Sequence, residues 1–159
     1  MKIAIVSDTH DSTSTLMKVA DIIKEENPDM ILHLGDLTRD ADFLQALIER
    51  EVRRVPGNCD YSRGEPDSLL IEVDEHKLFA THGHFQGVKM NLTPLLREAK
   101  EKGATIALYG HTHIAHEETV GKVTLFNPGS AALPKAGQKK SMAFLEINGK
   151  KKSFRWVYL

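Results

Sequence analysis

The chain opens on Ile3 to Val6, a short apolar run rich in β-branched residues and followed by the polar segment Ser7 to Ser14, which is the pattern of a buried strand. Leu16, Val19, Ala20 and Ile23 then recur at helical spacing. Ser12, Thr13 or Ser14 is placed to cap that helix, and Asn27-Pro28 ends it because the residue before proline avoids the α region. Met30 to Leu34 reads as a second strand. Phe43, Leu44, Leu47 and Ile48 make a second helical stripe, and Val52 to Val55 a third strand that stops at Pro56-Gly57. This β-α-β-α-β beginning predicts a parallel sheet with crossover helices.

Leu69 to Val73 and Lys77 to Thr81 flank the short polar link Asp74-Glu75-His76, as in a hairpin. A third helix follows, marked by Leu92, Leu95, Leu96 and Ala99 and stopped near Gly103, and then a strand over Thr105 to Tyr109. The C-terminal third is strand-like throughout: Glu117 to Val120, Val123 to Phe126, Met142 to Ile147 and Ser153 to Tyr158. Gly121, Asn127-Pro128-Gly129 and Asn148-Gly149 separate these runs, and Asn-Gly between strands is a strong hairpin signal. The pattern predicts an α/β fold of two sheets packed face to face, one begun by the β-α units and one finished by the hairpins, with helices outside.

Composition narrows the function classes. At 159 residues the chain fits a single domain spanning 1–159, and its 41% hydrophobic content suffices for a packed core. A formal net charge of −1 leaves no extended nucleic-acid surface, so any phosphate-binding charge must be local or borrowed from metal. Lys150, Lys151 and Lys152 follow a turn and read as a solvated strand end. Cys59 is the sole cysteine, which excludes an intrachain disulfide and a Cys-rich zinc site and fits a reducing cytoplasm. The four apolar residues Ile3 to Val6 are too few for a signal-peptide core, and no stretch approaches a membrane span.

Five polar clusters carry the candidate chemistry: Asp8-Thr9-His10, Gly35-Asp36, Gly57-Asn58, His82-Gly83-His84 and Gly110-His111-Thr112-His113. Each begins within a few residues of a predicted strand end. Ligands of open α/β sheets bind beyond the carboxyl ends of strands, so pieces scattered in sequence can meet at one edge. A lone Asp at a strand end is more often a turn former than a ligand. Five such clusters, all rich in Asp, His and Asn, are a metal site: Asp8, His10, Asp36, Asn58, His82, His111 and His113 are the expected ligands. Carboxylate, imidazole and amide oxygen without thiolate suit Mn²⁺, Zn²⁺, Fe²⁺, Co²⁺ or Ni²⁺. Seven ligands exceed what one tetrahedral ion needs, which points to two divalent ions. Two ions about 3.5 to 4 Å apart can clamp the attacking and leaving oxygens of a phosphoryl centre.

In their order and spacing these blocks resemble the calcineurin-like metallophosphoesterase superfamily, whose pattern runs DxH, GD, GNH[DE], a later His, and GHxH. The resemblance covers residues 1 to about 130 and is closest to the compact bacterial and archaeal phosphodiesterases, including their Asn-Pro-Gly-Ser segment, here Asn127 to Ser130. It implies a four-layer α/β/β/α sandwich with two mixed β-sheets. It also implies one ion among Asp8, His10, Asp36 and His113, and a second among Asp36, Asn58, His82 and His111, with Asp36 bridging. The implied reaction is hydrolysis of a small phosphodiester by a metal-bridging hydroxide attacking phosphorus in line, with Asp36, Asn58 and His82 as catalytic residues.

One position departs from the pattern. The histidine of GNH[DE], which in the superfamily binds phosphate and can protonate the leaving group, is Cys59 here. Of the histidines outside the proposed set, His33, His76 and His116 are expected in structural or exposed roles, whereas His84, two residues beyond His82, is a candidate for substrate binding. The rival from another class is a non-catalytic protein-interaction scaffold of the same fold, but here all seven positions hold competent ligands. A metallo-β-lactamase-like site would want HxHxDH, and His111 to His116 lacks the Asp. An amidohydrolase-like site would want HxH where this chain has Asp8-Thr9-His10. Specificity should come from short loops such as Tyr61 to Ser68 and Phe85 to Thr93, which do not name a substrate; oligomeric state is open.

Overall fold

The computed structural model of the chain describes residues 1–61 and 64–159. Its elements run β1 (Lys2–Val6), α1 (Thr13–Glu26), β2 (Met30–His33), α2 (Thr38–Ile48), β3 (Arg53–Arg54), β4 (Ser68–Val73), β5 (His76–Thr81), α3 (Thr93–Glu101), β6 (Ile106–Leu108), β7 (Ala115–Val120), β8 (Val123–Pro128), β9 (Ser141–Asn148) and β10 (Lys151–Tyr158). One sheet has the order β10-β9-β1-β2-β3 and the other β4-β5-β6-β8-β7. Both are mixed: β1, β2 and β3 are parallel, as are β5, β6 and β8, while β9, β10, β4 and β7 run antiparallel to their neighbours.

Side chains alternate across each strand, and the alternation builds the layers. Ile3 and Ile5 of β1 point into the core between the sheets with Leu78, Leu108, Phe126 and Leu145, whereas Ala4 and Val6 face α1 and α2. Phe79, Ala107 and Leu125 face the other way, onto α3. The result is the four-layer α/β/β/α sandwich. Phe126 stacks on Phe154 and Trp156 at the centre, with ring centroids 4.1 and 4.8 Å apart. Among the described residues no helix is long and apolar enough to cross a membrane.

Two details differ from the sequence pattern. The hairpin β9–β10 does not serve the second sheet; β9 pairs antiparallel with β1, so each sheet takes one hairpin from the C-terminal third. The free edge of β1 that accepts it is visible only when the chain has folded back. β3 is shorter than Val52 to Val55, because only Arg53 and Arg54 pair with β2 before Pro56, which has no N–H to donate, ends the edge strand. Asn27, at φ 43°, closes α1, and its backbone N–H donates to Ile23 O.

Candidate metal centre

The loops that leave β1, β2, β3, β5 and β6 at their carboxyl ends carry Asp8, Asp36, Asn58, His82 and the pair His111 and His113. The two sheets abut there, so residues more than a hundred positions apart come into contact. Five expected ligands, Asp8, His10, Asp36, His111 and His113, have positive φ, between 47° and 91°. Non-glycine residues avoid that region, and each such residue costs on the order of 1 to 3 kcal/mol, so the surrounding structure must hold them in it. Two glycines explain how the loops fit. A Cβ on Gly110 would lie 2.1 Å from Ser7 Oγ and 2.8 Å from Asp8 Oδ2, and one on Gly57 would lie 2.3 Å from Asp36 Cα. Only glycine lets the one backbone approach the Asp8 carboxylate and the other the backbone of Asp36.

Each carboxylate keeps an oxygen that accepts no hydrogen bond among the described residues. Asp8 Oδ2 accepts hydrogen bonds from Ser7 Oγ (2.5 Å) and His111 N (3.0 Å), while Asp8 Oδ1 accepts none. His113 Nε2 and His82 Nε2 lie 3.2 and 4.0 Å from that free oxygen. Asp36 Oδ2 is likewise without a hydrogen bond, although His10 Nδ1 is 2.8 Å away; these contacts are close but not aligned for a shared proton. Burial alone would raise the Asp8 carboxyl, but contacts with His113, His82 and Ser7 outweigh it and bring it down to about 2.

Backbone carbonyls orient the imidazoles. His82 Nδ1–H donates to Leu34 O at 2.8 Å and His113 Nδ1–H to Leu133 O at 2.6 Å, which leaves both Nε2 lone pairs facing the cluster. His82 Nε2 is 3.0 Å from Asn58 Oδ1 and 3.2 Å from His111 Nδ1; His113 Nε2 is 3.0 Å from His10 Nε2. Burial, with the neighbouring His82 next in effect, pushes His111 down to about 4, so it is a neutral base near pH 7. His113 is raised by its contact with Asp8.

All seven expected residues therefore meet. Two tight groups, Asp8-His10-His113 and Asp8-Asp36-His82, have ligand atoms within 4.8 Å of one another. Asp8 is common to both, and Asp36 touches the first group through His10. Buried carboxylate oxygens without donors, facing imidazole lone pairs, are a poor arrangement for a protein alone and a good one for divalent cations. The donor set thus fits metal.

Supporting residues had weaker sequence signals. Asp40 is buried; its carboxylate accepts from Asp11 N and Thr9 Oγ1, and Thr9 Oγ1 in turn contacts His33 Nε2 at 3.0 Å, which braces the Asp8 to Asp11 loop. Asn127 Nδ2 donates to Gly110 O and Thr112 Oγ1, and Ser130 Oγ to Asp8 O, so the Asn-Pro-Gly-Ser segment buttresses two ligand loops at once. His33 is fully buried, His76 bridges Thr105 Oγ1 and Lys150 O, and His116 meets Tyr109 OH at 2.9 Å, all structural positions. His84 stands beside the cluster, its ring centroid 5.4 Å from that of His82. Of the expected specificity loop Tyr61 to Ser68, residues 62 and 63 lie outside the described residues.

Comparison with known proteins adds an independent line. The family description "Calcineurin-like phosphoesterase superfamily domain" matches residues 1–150. The chain is 34% identical over 147 residues to "Probable metallophosphoesterase YsnB" of Bacillus subtilis, covering 92% of this chain and 85% of that one. It is 30% identical over 151 residues to "Phosphodiesterase MJ0936" of Methanocaldococcus jannaschii, covering 81% and 83%. A solved structure of Vps29 from Entamoeba histolytica superposes with a TM-score of 0.81 at 23% identity, covering 100% of this chain and 99% of that one, a likeness of fold.

Proposed function

The chain belongs to the calcineurin-like phosphoesterase superfamily, and we propose that within it the protein is a phosphodiesterase working with two divalent transition-metal ions, Mn²⁺ or Ni²⁺ first, on a small phosphodiester. The observation that carries this reading is the pair of buried carboxylate oxygens, Asp8 Oδ1 and Asp36 Oδ2, that accept no hydrogen bond and face imidazole nitrogens. Asp8, His10, Asp36 and His113 would hold one ion and Asp36, Asn58, His82 and His111 the other. Bound there, the ions supply Lewis acidity toward the phosphoryl oxygens and an activated water as nucleophile.

The chain's own residues do the rest. Leu34 O and Leu133 O fix the tautomers of His82 and His113, Ser7 and the backbone N–H of His111 aim Asp8, and Asn58 stands exposed at the rim, where substrate enters. Cys59 stands exposed beside Asp36, and contact with that carboxylate, then burial, pushes its thiol up to about 11, which disfavours the thiolate that a nucleophile would need. Diesters suit this site better than dianionic monoesters, since the cationic contact of the usual histidine is missing at Cys59. The relative named a phosphodiesterase agrees with that preference. A scaffold role shares the fold of Vps29, and the intact ligand set weighs against it.

The test is hydrolysis of bis(p-nitrophenyl) phosphate by metal-stripped protein reconstituted with Mn²⁺ or Ni²⁺. Activity should appear with metal and vanish in chelator, and full turnover by a verified metal-free preparation would reject the reading. Asp36→Asn should lose far more activity than His84→Ala, with metal content measured on each; equal losses at equal metal content would overturn the bridging role of Asp36.

A further inference from the structure

A cavity of about 310 Å³ adjoins the metal cluster, lined by Asn58, Asp60, Glu65, Asp67 and His84, with Tyr61 and Phe85 at its mouth. That volume is at the lower end of small-molecule sites, about 300 to 1,000 Å³. Because Asn58 belongs to both, an ester held at the cluster would extend one of its substituents into this cavity.

The lining has a definite chemistry. Asp60 accepts hydrogen bonds from Thr38 N, Thr38 Oγ1 and Gly57 N, all neutral donors, which orient the carboxylate; among the described residues no cation pairs with it. Neither Glu65 nor Asp67 forms an ion pair among the described residues, and no Lys or Arg among them lines the cavity. Among the described residues two polar atoms on the wall, Glu65 Oε2 and His84 Nδ1, are shielded from solvent without a hydrogen-bond partner. At the mouth Tyr61 is 91% and Phe85 68% exposed, two large aromatic faces left in water beside three carboxylates. Aromatic faces with adjacent carboxylates attract organic ammonium groups, and they repel a second phosphate.

We propose that this cavity is a substrate subsite for an ammonium group, so that the preferred substrates are phosphodiesters of amino alcohols, with Glu65, Asp67, Tyr61 and Phe85 as specificity-determining residues. The inference rests on the phosphodiesterase reading for the reaction, while the binding of the cation depends on the cavity alone.

Two measurements separate the two. In the first, the metal-loaded protein is given p-nitrophenyl phosphocholine and its neutral isostere, 3,3-dimethylbutyl p-nitrophenyl phosphate. The kcat/KM ratio should favour the cation by about tenfold, equivalent to about 1.4 kcal/mol. It should fall toward unity in the double variant Glu65→Gln, Asp67→Asn, the ratio within each protein serving as its own control. In the second, choline and 3,3-dimethylbutanol are titrated into metal-free protein while the NMR signals of Tyr61, His84 and Phe85 are followed. Shifts should appear with choline alone and disappear in the double variant. If bis(p-nitrophenyl) phosphate is hydrolysed but the ratio is unity and the neutral alcohol shifts the same signals equally, the subsite falls and the phosphodiesterase reading stands. If no ester is hydrolysed with any metal, that reading fails, and the titration still decides whether the cavity takes a cation.

Discussion

At the residue scale the informative position is Cys59. A general acid is worth roughly 10² to 10⁴ in rate when the leaving oxygen is basic and little when it departs readily as an anion. With a thiol held protonated near 11 in place of histidine, aryl phosphodiesters should be hydrolysed measurably and alkyl monoesters far more weakly. Cys59→His should raise monoester relative to diester turnover, measured on both substrate classes at matched metal loading. Cys59→Ser should change little; complete loss with both ions still bound would assign the thiol a catalytic role. Residue identity was legible here without a fold, because a family pattern assigns a task to each place and one place is filled differently. The tasks of Asp40 and Asn127 were not legible, since a buried Asp or Asn is recognised by the groups it meets, and those lie in distant segments.

At the element scale the strands and helices follow the hydrophobic period closely, and the misses are at ends and edges, as with β3. What the period could not convey is how an element end is tied to its neighbours. His33 closes β2 and accepts a hydrogen bond from Gly35 N at Nδ1, while its Nε2 faces Thr9 Oγ1, so the imidazole joins β2 to the loop after β1. Burial pushes it from an ordinary 6.5 down to about 4. Between those values the unfolded chain binds a proton that the folded one does not. The stability it contributes is therefore complete above about pH 6.5 and is lost as pH falls toward 4. The loss is on the order of 3 kcal/mol over that window. Urea midpoints of metal-free protein should fall between pH 7 and pH 4.5, and His33→Gln should flatten that slope; an unchanged slope would show that His33 is not what titrates.

At the scale of the whole molecule the ligand loops come from both sheets, Asp8, Asp36 and Asn58 from one and His82, His111 and His113 from the other. Ions bound between them would tie the sandwich together, and binding to the folded state alone at about 100 times Kd would add about 2.7 kcal/mol. For a chain of this size the thermal midpoint should drop by roughly 5 to 10 °C when chelator removes the metal. Calorimetry with and without chelator checks this, and an unchanged midpoint would mean that the ions do not link the sheets. The sequence by itself determined the alternation of strands and helices, the kinds of side chain collected at strand ends, and the family, since these depend on periodicity and on residue types at fixed local spacing. Only the tertiary structure decided that β9 enters the first sheet, that Asp8 and Asp36 each keep one oxygen without a donor, and that an acidic, aromatic-edged cavity opens beside Asn58. Those outcomes depend on which surfaces meet across more than a hundred residues of chain, and a local pattern holds no record of distance.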